Sequence, residues 1–132
     1  MHILIVVAIA LHVLSSIFWA GSTFTLARTG GLLAERLFRP QMGAATVAVI
    51  TGAVLGHFLH PGAPGSAERI LAAGAVCAII AAGLQGAFTG RALRVTDATR
   101  SAAAQRAIAL SQRAAAVLLM ITAVCMAVAK YV

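Results

Sequence analysis

Four long apolar stretches, each about the length needed to cross a bilayer, leave this chain few alternatives to a helical membrane fold. A hydrocarbon core about 30 Å thick requires about 20 apolar residues per helix. In lipid, only helices and closed barrels satisfy every backbone polar group internally. The stretches cover residues 3–27, 41–60, 67–91 and 106–130 of the 132. Arg28, Gly30 and Gly31 end the first, and Pro40 precedes the second. Pro61, Gly62 and Pro64 follow the second, where a residue without an N–H suits a helix boundary. Ser66 is placed to cap the third, and the fourth rises from about Ala102 to end at Lys130 and Tyr131. Only 10% of the residues are charged, against about 25% in soluble domains, so little polar surface is available for water. The expected fold is all-α: an integral membrane up-down four-helix bundle forming one transmembrane domain over residues 1–132.

The formal net charge is +7. In a soluble chain that balance would point to nucleic acid. Here the basic residues gather in short loops beside apolar spans, as the positive-inside rule requires, and no nucleic-acid partner is expected. Arg28, Arg36 and Arg39 lie in the first connection, and Arg91, Arg94, Arg100 and Arg106 in the third, with Arg113 just beyond. The other side carries only Arg69 and Lys130. The two basic loops are therefore expected in the cytoplasm and both termini in the periplasm of a bacterial inner membrane. The apolar run begins at Ile3 with no basic segment before it, so no cleavable leader is expected. Cys77 and Cys125 lie within apolar runs, and no closely placed loop cysteines suggest a disulfide framework.

Small residues should set how the helices pack, because lipid tails are as apolar as leucine and close backbone approach must hold a bundle together. Gly52 and Gly56 form a GxxxG pair. Gly74, Ala78, Ala82, Gly86 and Gly90 form a ladder at every fourth residue, suited to intramolecular packing or to docking on a larger complex.

Polar side chains inside spans carry most of the functional information. His12, Ser16, Trp19 and Thr23 recur at helical spacing on one face of the first span, which should point inward. Counted from the span centres, His12 and His57 fall within about 5 Å of each other in height. Two imidazoles on neighbouring antiparallel helices are the arrangement that holds haem b edge-on, each supplying one axial ligand. His12 and His57 are the candidate iron ligands, with Trp19 and Ser16 lining the cofactor site. A competing reading is copper: Cys77 and Cys125 share the layer of His12, with Met120 and Met126 nearby, and soft sulfur with imidazole favours Cu(I). A third reading is a cofactor-free structural subunit. Gln85, Ser111, Gln112 and Arg113 are expected to make inter-helix hydrogen bonds or to reach phosphate headgroups. No Ser/His/Asp set, intramembrane carboxylate or phosphate loop is present, so an electron-transfer or accessory subunit is expected rather than an independent enzyme. Its expected partners are membrane lipid, other membrane subunits or a periplasmic electron carrier.

The run Leu11-His12-Val13-Leu14-Ser15-Ser16-Ile17-Phe18-Trp19-Ala20-Gly21 resembles the first-helix motif of the copper-resistance D (CopD-like) family and the related HemJ-type protoporphyrinogen oxidases. That resemblance implies a helical bundle with His12 as a haem or metal ligand. The lysine that HemJ-type proteins offer in a later span has no counterpart inside a span here.

Overall fold

The computed structural model describes residues 2–60, 62, 65–95 and 101–132. Pro61, Pro64, Asp97 and Arg100 lie outside the described residues. Four helices, all long and apolar enough to cross a membrane, run up and down: α1 (His2–Arg28), α2 (Ala34–Leu59), α3 (Ser66–Leu93) and α4 (Ala102–Ala129). One end of the bundle carries both termini. The other carries the α1–α2 turn and the ends of α3 and α4, with Arg28, Arg36, Arg39, Arg91, Arg94, Arg106 and Arg113 all exposed.

The α1–α2 turn is tight because two glycines take left-handed backbone, Gly30 at φ 63° and Gly31 at φ 83°. The Gly31 N–H donates to the Leu26 carbonyl at 2.9 Å, closing a Schellman-type cap on α1. A Cβ on Gly31 would stand 2.5 Å from Cγ2 of Ile108, itself fully buried. Gly31→Ala should therefore lose more than the cost of left-handed backbone alone, about 1–2 kcal/mol. Gly30→Ala has open space around its Cβ and should lose only that amount. Equal losses in equilibrium unfolding would remove the Ile108 contact from the explanation.

Helix α2 starts at Ala34, earlier than the span expected at residues 41–60, so Pro40 lies inside the helix rather than before it. Its missing N–H falls in the second turn, where only one helical hydrogen bond is forfeited. Ser101, whose Oγ accepts from the Ala104 N–H at 3.2 Å, caps α4. At the start of α3, Glu68 Oε2 accepts from the Gly65 N–H at 2.9 Å.

Packing is uneven. Helices α3 and α4 pair along their length, α1 pairs with α2 and also touches α4, and α2 meets α3 only sparsely. The α3–α4 seam is close because Gly74 lies against Cys125 and Thr122, whose Oγ1 donates to the Gly74 carbonyl at 2.9 Å. The expected small-residue ladder holds only in part. Gly74 and Ala78 are buried, but Gly86 is exposed and the buried row continues through Ala81, Gln85, Thr89 and Ala92. An i, i+4 row drifts about 40° per step around a helix of 3.6 residues per turn, so a row of five residues cannot face one neighbour. A π-helical turn over Gln85–Thr89 slows that drift locally and keeps Gln85 and Thr89 both inward.

Candidate functional site

Two features occupy the centre of the bundle: a dry polar network in the arginine half and an apolar cavity in the terminal half. Trp19 joins them. Its indole is 3% exposed and lines the cavity, while Nε1 donates to Gln85 Oε1 at 2.8 Å.

Every helix contributes to the network. An indole N–H can only donate, so the atom facing it is the Gln85 oxygen, and this fixes the amides in turn. Gln85 Nε2 donates to Thr23 Oγ1 at 2.8 Å and to Gln112 Oε1 at 3.0 Å. Gln41 Nε2 donates to the same two oxygens at 2.9 and 3.2 Å. Gln112 Nε2 then donates to Thr89 Oγ1 at 3.1 Å and to Gln41 Oε1 at 3.4 Å. The Thr23 hydroxyl donates to the Trp19 carbonyl at 2.7 Å, and Thr89 pairs with Ser111 at 2.8 Å. Thr23, Gln41, Gln85, Thr89 and Gln112 have no exposed surface, yet every glutamine amide hydrogen has an acceptor. The network contains no ionisable side chain. It is a lock between helices, since buried polar groups stabilise only when fully partnered. Gln85, Ser111 and Gln112 make the inter-helix bonds expected of them. Arg113 makes one too, donating from Nε to the Ala27 carbonyl at 3.4 Å and covering the end of α1.

The cavity, about 730 Å³, lies between all four helices. Of the expected site residues, His12, Ser16 and Trp19 line it together on one face of α1. His12 Nδ1 lies 2.9 Å from the Ala48 carbonyl, which can only accept, so Nδ1 carries a proton, and in the neutral ring Nε2 is the nitrogen with the lone pair. Thr51 Oγ1 stands 3.2 Å from the same nitrogen. A histidine held at one nitrogen by a carbonyl has its ring and tautomer set for ligation through the other. Gly52 admits the ring: a Cβ there would be 3.0 Å from His12 Cε1. Gly52→Ala should push the imidazole off Ala48 and cost about 1 kcal/mol, the worth of the lost hydrogen bond. Unchanged stability in detergent unfolding would show that the ring has room to spare.

His57 is placed differently. It is exposed, sits edge-on to Phe58 with ring centroids 5.4 Å apart, and is not among the cavity-lining residues. His12 meets α2 at Ala48 to Gly52, so His57 stands five residues further along, about 7 Å. The early start of α2 moves its centre away from Thr51, on which the depth comparison with His12 rested. His60 and Glu68, at the terminal end, do line the cavity. Cys77 and Cys125 do not, and both are half-buried thiols elsewhere on α3 and α4. Among the described residues no three His, Cys, Asp or Glu side chains gather into a metal-binding group.

Comparison of the chain with protein-family models, with curated proteins and with solved structures returned no match.

Proposed function

We propose that this is a small bacterial inner-membrane protein, with both termini periplasmic, that holds one haem b in the cavity and passes single electrons as an accessory subunit of a larger oxidoreductase. One observation carries the reading: a half-buried imidazole, His12, whose Nδ1 is tied to a backbone carbonyl and whose Nε2 is left as a ligand beside a large apolar cavity. Seven of the eight described arginines, all but Arg69, lie at one end of the bundle, which supports the orientation. The residues fit one axial ligand. His57 is exposed and outside the cavity, so the paired-histidine arrangement is not part of the proposal.

Haem supplies reversible one-electron chemistry when bound. The chain's contribution is the rest. His12 is oriented by Ala48 and Thr51. Trp19 forms the floor of the cavity and is immobilised by Gln85. His60 stands about 12 Å beyond Gly52 along α2, too far to face His12 but placed to meet a polar group at the rim. An apolar lining excludes water and so favours a neutral porphyrin ring over hydrated ions.

An absorption spectrum of the detergent-purified protein, oxidised and then dithionite-reduced, tests this directly. A Soret band that shifts on reduction, with a sharp α-band, is the expected result. A flat visible spectrum from folded protein, after incubation with added haem, would refute the cofactor.

A further inference from the structure

The cavity is backed on two sides and open on a third. Helix α1 supplies its back wall through His12, Ser16 and Trp19, and α4 supplies Leu119, Thr122 and Met126. Helices α2 and α3 flank it but approach each other at the arginine end, where Phe38 reaches Gly90. Toward the terminal end small residues alternate with Leu55, Leu59 and Leu71 along the lining of α2 and α3. Ala53 and Gly56 on α2, and Ala72 and Ala75 on α3, line the cavity and are at the same time exposed.

We infer that the cavity opens sideways through this gap and takes molecules dissolved in the bilayer, namely acyl or isoprenoid chains and the apolar rings they carry. The rim of the gap is apolar, with Leu59 on α2 and Ile79 on α3 both lining the cavity and exposed, so hydrocarbon rather than water solvates it. The interior offers a water-borne solute little, because Thr122 already donates to Gly74 and His12 Nδ1 to Ala48. The polar groups at the terminal end, His60 and Glu68, lie where a headgroup would rest while its chain runs inward along the glycine and alanine faces. A molecule anchored there and extending about 12 Å reaches the level of His12. The inference shares the cavity with the proposed haem site but does not need haem; it needs only that the four helices span a bilayer.

Trp19 is the chain's single tryptophan and reports on the cavity floor. The protein would be reconstituted into phosphatidylcholine vesicles carrying bromine at mid-chain, which quenches indole emission on close approach. Although Trp19 is packed inside the bundle, it should lose most of its emission, because brominated chains enter beside it. Gly56→Phe should restore that emission, since Gly56 lines the cavity and a Cβ there has nothing within 4 Å, so an added ring has room to start into the gap. A Trp19→Phe/Leu14→Trp variant, with its indole on a position 66% exposed, should be quenched whatever the cavity does. Bright Trp19 beside a quenched Leu14→Trp variant would overturn the inference, as would quenching that ignores Gly56→Phe. If neither indole is quenched, the transmembrane placement fails and the inference with it. A protein that is quenched but binds no haem would refute the haem reading alone.

Discussion

Replacing Gln112 by leucine should lower the unfolding free energy by on the order of 3 kcal/mol, the largest stability loss expected from a substitution that preserves side-chain bulk. The effect is not a cavity, because leucine fills similar space. It comes from the partners left behind. Gln112 accepts from Gln41 and Gln85 and donates to Thr89 and Gln41, linking α4 to α2 and α3. Stranding a buried donor or acceptor costs about 1–3 kcal/mol in proteins generally. Single inter-helix hydrogen bonds in membranes average nearer 0.6 kcal/mol. Several low-value links lost together still give the figure stated. Thr46→Val, which removes an exposed hydroxyl bonded within its own helix, should change stability by less than about 0.5 kcal/mol. Unfolding in mixed micelles followed by Trp19 emission would measure both. Equal stability for the two variants would mean that the glutamine network does not lock the helices.

His12→Ala should abolish the Soret band of haem-loaded protein, weakening haem binding by more than about 100-fold, beyond what loss of an orienting partner alone produces. The geometry makes the assignment asymmetric between the histidines. His12 is held by Ala48 and borders the cavity, whereas His57 is exposed beside Phe58. His57→Ala should therefore leave the haem stoichiometry unchanged. A Soret band that survives His12→Ala and disappears with His57→Ala would reverse the assignment and restore the ligand inferred from span depths. Alanine at position 12 also removes one inter-helix bond, so folded yield has to be compared alongside the spectrum.

The inward face of α1 is legible in the sequence alone. His12, Ser16, Trp19 and Thr23 recur at helical spacing in an otherwise apolar run, and a polar group in a span has to turn toward the bundle. Four helices long and apolar enough to span were equally legible from run length. Gln41 does not stand out in the sequence, because it is the first residue of the apolar stretch 41–60, where an amide reads as a boundary, whereas α2 begins seven residues earlier at Ala34. Its signal is present in principle, as one of only four glutamines in the chain. The relative height of His12 and His57 was misjudged for the same reason, since a shift in one helix start moves every depth counted from its centre.

Run length, arginine placement and the α1 polar face are local properties, set by the bilayer-scale hydrophobic requirement and by 3.6-residue periodicity. The sequence by itself determined those. Which glutamine meets which, that Gly52 lies against His12, and that α2 parts from α3 to leave a cavity are products of helix register and crossing. These depend on how side chains from residues as far apart as 41 and 112 interlock. Pairwise packing between distant segments carries no periodic signature along the chain, and only the tertiary structure decides it.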